Sequence, residues 1–534
     1  MKRDFHALKS GHFDVLVVGG GIHGAWTAYD ATLRGLRVAL VEKEDWGSGT
    51  SQASSKLIHG GLRYLEQMRL GLVRQSLHER QRLLELAPHQ VWPLSFGLPI
   101  YQGGRLNALL LKPGLMLYDR MAGIKAAQGG HQQLNAAQAL QRWPFLQAQG
   151  LKSGFVYPDA QMDDARMTLE LVLGAIQAGA VAVNHCSAQA LLCSKGRVWG
   201  AAVRDEETGE THELLAHQTV LAAGPWCDGL LQNTHAAPIQ RLLRLNKGVH
   251  VVLPALPTRD GLFLTAKRDG RVFFVLPWLG RTLVGTTDTD YTGDPDHVLP
   301  EKEDVAYLLE EAAGYLPGQG WDEHSVLAAF AGVRALRHVP GQPSAVTREL
   351  SLEEPLPGLH VPVGGKFTTA RVAAERLVER IMKRLGHRIG PSPTAQRLFP
   401  RMPNREQPFG PWLQHTTHRL TQCGLDSQTA QESARRYGTD AVLLEALLTD
   451  QPPLAQRIHP SLPYAQAEIL LAVNREMART LPDILRRRIP LALLERLDTP
   501  LLAQVAKLAA QPLGWDAARQ AREVAAWEAE APSP

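Results

Sequence analysis

Gly19, Gly21 and Gly24 fit the spacing G-x-G-x-x-G, with Ile22 and His23 between the last two, and Glu42 ends an apolar run further on. Gly19 suits a tight turn, Gly21 a close backbone approach to a pyrophosphate, and Gly24 close helix–strand packing. A helix starting there offers backbone N–H groups and a positive dipole end to the phosphates. Glu42, followed by Lys43, is placed to accept hydrogen bonds from a ribose diol. A second dense stretch, Asp45–Leu65, carries Thr50, Ser51, Ser54 and Ser55 among glycines that include Gly60 and Gly61, with Lys56, His59 and Arg63 interspersed. Such a segment can lie along a flat ligand and supply many hydrogen bonds. Leu57, Ile58 and Leu62 within it argue against a solvated loop.

These residues need a βαβ frame. Asp14–Val18 reads as a buried strand, Ala25–Arg34 as a helix ended by Gly35, and Arg37–Val41 as a second buried strand. Leu70–Leu86 reads as an amphipathic helix with Arg74, Glu79, Arg80 and Arg82 outward. Residues 106–122 are more apolar and divided by Pro113 and Gly114. They read either as a core helix pair or as a membrane-surface element flanked by Arg105, Lys112 and Arg120. Asp163–Gly179 is a helix begun by two acids, followed by strands through Val203 and by Gln218–Asp228, where an apolar strand runs into Ala223-Gly-Pro-Trp226.

Residues 240–345 show alternating strands punctuated by Pro and Gly, as in an antiparallel sheet, with 285–291 and 331–336 at strand ends. Val361–Thr369 returns to the first pattern, a strand meeting Gly364 and Gly365 before a helix, Phe367–Leu385. Residues 387–411, rich in Pro and Arg, read as a linker. Residues 412–534 are helical in pattern, with a disordered end from Glu528.

A chain of 534 residues needs more than one core. With 44% hydrophobic and 21% charged residues and a net charge of +4, it has the composition of a soluble globular protein, and no nucleic-acid-binding signature is visible. Cys186, Cys193, Cys227 and Cys423 form no C-x-x-C, no metal site and no disulfide framework, which suits a reducing compartment. No apolar run is long enough to span a membrane. The expectation is a cytoplasmic protein, with attachment to a membrane surface open.

The motifs resemble those of the FAD-dependent glycerol-3-phosphate dehydrogenases. The strongest is Ala53-Ser-Ser-Lys-Leu-Ile-His-Gly-Gly-Leu-Arg-Tyr-Leu-Glu66. In family order come Met162-Asp-Asp-Ala-Arg166, Ala223-Gly-Pro-Trp226, Lys247-Gly-Val-His250 and Gly285-Thr-Thr-Asp-Thr-Asp-Tyr291. Gly332-Val-Arg334, Thr347-Arg-Glu349, Gly364-Gly-Lys-Phe-Thr-Thr369 and a signature over 475–488 complete the series. The resemblance implies an α/β fold: a Rossmann-like FAD-binding domain of the glutathione-reductase and D-amino-acid-oxidase type over 12–85, 150–235 and 345–388. It implies an antiparallel-sheet substrate domain over 86–149 and 236–344, and an all-α cap over 400–527.

It implies FAD rather than NAD, with no metal. To the residues above it adds Ala188, Ala223, Gly224, Trp226, Asp288, Gly365, Lys366, Phe367 and Thr368 as cofactor contacts. It implies oxidation of sn-glycerol 3-phosphate to dihydroxyacetone phosphate by hydride transfer to flavin N5. Electrons then pass to a membrane quinone from a peripheral position on the inner face of the cell membrane. Arg63, Tyr64, Arg334 and Lys366 would surround the substrate, with Arg348 near. His250 and His59 are the candidate bases, since imidazole takes a proton near neutral pH.

The chain departs from the family at Ala335-Leu-Arg-His338, which is basic, at Val249 and at Ala370. Arg337 and His338 would suit a more anionic substrate. The alternative is therefore a flavoprotein of the same fold, oxidase or dehydrogenase, acting on another phosphorylated or carboxylated alcohol. An NAD-dependent dehydrogenase has no use for the 53–66 segment, and a non-catalytic flavin-binding subunit has no need of the cations. The helical C-terminal region is either a solvated domain or a cap for homodimer or membrane contacts, with Arg486-Arg487-Arg488 beside lipid headgroups.

Overall fold

The apolar run before the glycines forms the strand Phe13–Val18, and Gly21 caps the next element, the helix Ile22–Leu33. Gly35, at φ +84°, turns the chain into Val38–Val41. In the computed structural model, which describes residues 3–105, 108–123, 130–234, 240–338 and 349–530, these strands belong to an eight-stranded sheet. Its central order is Leu359–Val363, Thr211–Leu221, Phe13–Val18, Val38–Val41 and Val181–Val183, all parallel. The helices Ile22–Leu33, Asp164–Gln177 and Ala370–Arg384 bury an apolar face on it. A hairpin, Cys186–Ser194 with Arg197–Asp205, extends the sheet antiparallel onto Thr211–Leu215.

The second, ten-stranded sheet is largely antiparallel. Leu243–Leu253 pairs along its length with Ala328–Arg337. Segment 331–336 therefore lies inside a long strand, not at a strand end as the pattern suggested. Leu151–Met162, grouped by sequence with the cofactor-binding segments, pairs here with Val91–Tyr101, because both strands need a partner along their whole length.

Glu79 and Arg80 turn inward rather than outward. Arg371 binds Glu79 through two hydrogen bonds of 2.6 and 2.8 Å, and Arg80 reaches Asp159 at 2.7 Å. Residues 108–121 form one helix containing Pro113, not a helix pair. The expected linker is pinned to the first layer. Ser392 and Thr394 donate to Asp30, and the Arg401 backbone N–H donates to Glu170 at 2.9 Å. The last helix, Ala517–Glu530, includes Glu528, where disorder was expected.

The C-terminal helices dock through buried charge. Arg166 and Arg401 both bind Glu476 at 2.7 Å. Asp45, in the loop after Glu42, takes Arg487 at 2.5 Å and both terminal nitrogens of Arg488 at 2.6 and 2.7 Å. Arg487 and Arg488 are thus interior groups, and the placement of Arg486–Arg488 beside lipid headgroups is corrected. Arg486 stacks on Trp527 at 5.1 Å. Burial raises the Glu476 carboxyl, but Arg166 and Arg401 outweigh it and hold it at about 2.

Candidate active site

The parallel strands end at a common edge. The residues just past their ends, Gly19, Glu42, Ala222-Ala223 and Gly364-Gly365, line one cavity of about 1260 Å³. Ligands of open α/β sheets bind in this crevice. Gly19, at φ +108°, packs so closely that a Cβ there would lie 2.5 Å from the Ala222 carbonyl oxygen. A Cβ on Gly24 would lie 1.8 Å from the Gly19 oxygen, so Gly24 serves packing and does not line the cavity. Ser51 Oγ accepts from the Ile22 N–H at 2.9 Å, drawing the 45–65 segment onto the helix N-terminus. Glu42 accepts from the N–H groups of Gly20 at 2.6 Å and Glu44 at 3.0 Å, which fixes its carboxylate at the cavity wall, and burial raises its pKa.

This cradle fits a dinucleotide. The cavity exceeds the roughly 300–1,000 Å³ usual for drug-sized ligands. Glycines stand where side chains would fill it, and at Gly365, φ +89°, a Cβ would lie 3.0 Å from the His23 ring. His23, Lys43, Thr50, Ser54, Ser55, Leu57, His59, Gly61, Ala188, Ala223, Gly224, Trp226, Asp288, Phe367 and Thr368 all line it. Lys56 and Gly60 do not. Lys56 is buried, bound to Asp164 at 2.6 Å beneath Trp278 and Phe330, and braces the loop from below. Gly60 makes room for Tyr118 and Leu77.

The second sheet roofs the other end of the cavity. Alternation along Leu243–Leu253 turns Arg244, Asn246, Gly248 and His250 to the cavity, opposite Leu336, Arg334 and Gly332 of the paired strand. The bare Gly248 lets the Arg334 guanidinium lie across it, 2.7 Å from Asn246 Oδ1 and 2.9 Å from Thr286 Oγ1. Asp288, part exposed, is farther at 3.4 Å. Lys366 lies 3.8 Å above the Tyr64 ring, and Arg63 donates to the Tyr64 hydroxyl at 3.2 Å. Arg63, Arg334 and Lys366 thus bring positive charge to the cavity wall.

His250 is buried. Its Nε2 lies 2.9 Å from Ser55 Oγ and its ring stacks on Phe330 at 5.1 Å, in space left by Gly285. Burial, with the nearby Arg334 and Lys56 charges, holds its pKa well below the usual histidine range, so the ring is neutral. Its Nδ1 is buried with no hydrogen-bond partner among the described residues. His59 also lines the cavity. Arg348 lies outside the described residues.

Arg337 is not among the lining residues and pairs with Glu353 at 3.2 Å, and His338 is exposed and away from the cavity. The basic departure therefore does not face the ligand. Sequence reasoning missed Asn246, Thr286, Arg244 and Arg271. Counting back from His250 in steps of two would have found Asn246 and Arg244.

Fold and cavity together define a dinucleotide-binding protein, and its relatives make it a flavoprotein whose resident cofactor is FAD. Residues 14–380 match the family described as FAD dependent oxidoreductase, and residues 406–520 match the C-terminal domain of alpha-glycerophosphate oxidase. The chain belongs to the FAD-dependent glycerol-3-phosphate dehydrogenase family. It is 34% identical to the glycerol-3-phosphate dehydrogenase of a Synechocystis species, over 92% of this chain and 91% of that protein. The crystal structure of the Bacillus halodurans glycerol-3-phosphate dehydrogenase with FAD superposes with a TM-score of 0.79 at 29% identity, covering 98% of this chain and 95% of that one. Glycine oxidase of Geobacillus kaustophilus shares the fold at TM-score 0.55 and 21% identity, over 73% of this chain and 99% of its own. Among the described residues no His, Cys, Asp and Glu group could hold a metal, and no helix is long and apolar enough to cross a membrane.

Proposed function

We propose that the protein oxidises the secondary hydroxyl of sn-glycerol 3-phosphate to dihydroxyacetone phosphate and delivers the electrons to a quinone in a membrane it attaches to peripherally. The observation that carries this reading is that Arg63, Arg334 and Lys366 line the same cofactor cavity as a buried neutral imidazole. Relatives named as glycerol-3-phosphate dehydrogenases support the substrate. Bound flavin supplies, at N5, the acceptor for the hydride leaving the carbinol carbon. Arg334 binds the phosphate dianion through its planar fork, and Arg63 adds charge. Lys366 caps the turn Phe367–Thr369 and adds positive potential that favours electron uptake in the cavity.

His250 takes the hydroxyl proton. With the Ser55 hydroxyl donating to Nε2 at 2.9 Å, the proton reaches the ring by way of Ser55 Oγ, which lines the cavity, since the Nδ1 edge is buried. The Arg334 charge that depresses His250 is compensated when a dianion binds, so substrate binding itself strengthens the base.

The test is anaerobic titration with sn-glycerol 3-phosphate, followed at the flavin band. Stoichiometric bleaching is expected, slowed roughly 100-fold in His250→Asn. A flavin that stays oxidised removes the substrate assignment, and an unchanged rate in the variant removes the base. In a separate aerobic assay, peroxide formed in step with substrate consumed would replace quinone by oxygen.

A further inference from the structure

Ser55 stands between two residues that share one carboxylate. Asp164 begins the helix Asp164–Gln177 and is wholly buried. Its Oδ2 accepts from the Ser54 hydroxyl at 2.6 Å and from the Ser54 N–H at 3.2 Å, and its Oδ1 accepts from Lys56 Nζ at 2.6 Å. Ser54 Oγ accepts from the Lys56 N–H at 3.0 Å, and the Lys56 ammonium also donates to the Gln52 carbonyl oxygen. Lys56 adopts φ +58°, the left-handed region that side chains disfavour, so its neighbours must hold it there. With that bend Lys56 faces Asp164, and neither lines the cavity, while Ser55 does, its Oγ 2.9 Å from His250 Nε2.

The same ammonium reaches the base by a second route. Phe330 stacks on the His250 ring, 16° from parallel, and Lys56 Nζ lies 5.2 Å from the Phe330 ring centre. Lys56 therefore touches the surroundings of His250 through the Ser55 backbone and through Phe330. The charged groups that bear on the imidazole are Arg334 and Lys56, and both oppose its protonation. Its partners on the flanking strands, Gly285 and Phe330, bring no charge. Asp164 offsets the Lys56 charge.

We infer that Asp164 and Lys56 are positioning residues for the proton transfer: clamped to each other beneath the cavity, they hold the Ser55 hydroxyl against His250 Nε2. The inference rests on the reading of His250 as the base. The substrate hydroxyl gives its proton to Ser55 Oγ as the Ser55 proton passes to Nε2, so the serine ends neutral and the ring ends charged. Neither Lys56 nor Asp164 exchanges a proton. Their bonds fix where Ser55 sits, and their charges set how readily the ring accepts.

The experiment compares holoenzyme variants by flavin content, substrate dissociation constant and anaerobic bleaching rate at saturating sn-glycerol 3-phosphate across pH. Lys56→Met/Asp164→Asn removes the ion pair without leaving either charge buried alone. Flavin content should hold and the dissociation constant stay within about threefold, while the plateau bleaching rate falls about 30-fold. The acid limb of the rate should move up by about half to one pH unit, because the cation near the ring is gone. Asp164→Asn alone should move the limb down, because Lys56 keeps its charge without the offset. Ser54→Ala, which removes one arm of the clamp, should slow bleaching about fivefold, and Ser54→Thr should restore it. A double variant with the wild-type plateau and limb overturns the positioning role, as does a limb that moves the same way in both Asp164 variants. If the double variant loses flavin, the Ser54 pair decides: Ser54→Ala at the wild-type rate overturns the role. An unchanged rate in His250→Asn removes the base itself, an outcome separate from all of these.

Discussion

The protein uses arginine for opposite ends in two places. At the interface with the C-terminal helices, each buried guanidinium meets a carboxylate: Arg166 and Arg401 on Glu476, Arg487 and Arg488 on Asp45. At the cavity, Arg334 binds Asn246 and Thr286, and Arg63 binds the Tyr64 hydroxyl. The first arrangement spends its charge internally and gives a fixed joint. The second sets guanidinium groups in an open cavity wall among hydroxyl and amide partners, with Asp288 at 3.4 Å from Arg334, where an incoming dianion can reach them. Residue type does not separate the two. Whether the guanidinium lies in a closed interior or at an open cavity wall does.

That comparison breaks first at Arg334. Arg334→Ala should lower kcat/KM for sn-glycerol 3-phosphate by about 1,000-fold with flavin content unchanged. A loss under tenfold would mean the phosphate is bound elsewhere. At the joint, Glu476→Gln should cost about 3–5 kcal/mol, because it leaves buried guanidinium groups unmatched. Thermal unfolding measures this, and turnover of the folded fraction should stay near wild type. The same carboxylate sets an acid limit. Its pKa falls from 4.5 to about 2 on folding, so its contribution is present above pH 4.5 and is lost as pH drops toward 2. Near-UV circular dichroism should show loss of tertiary packing in that window, and Glu476→Gln should weaken the dependence. The smallest effect is expected at Arg337, which faces Glu353 and not the cavity. Arg337→Ala should leave KM within about twofold, and a larger rise would bring that strand end into the site.

The joint also carries weight for the cofactor. Asp45, clamped by Arg487 and Arg488, begins the loop whose Ser51 meets the helix N-terminus at Ile22. Two stretches far apart in the chain, 162–166 and 475–488, thus meet as Arg166 on Glu476. In sequence they stand only as separate signatures, and the arginine run reads as a surface patch. An apolar environment reverses that reading, because a charge enters it only with a partner.

The sequence by itself determined the cofactor cradle. Glycine spacing, strand–helix–strand order and Glu42 lie within one short segment, where local geometry suffices. What only the tertiary structure decided were matters of register and burial. Cross-strand pairing brought Asn246 and Thr286 to Arg334 and gave His250 its space at Gly285. Packing turned Glu79, Arg80, Arg487 and Arg488 inward and removed Arg337 from the site. Such outcomes depend on partners distant in the chain, whose positions are set by the closing of both sheets and not by any run of neighbouring residues.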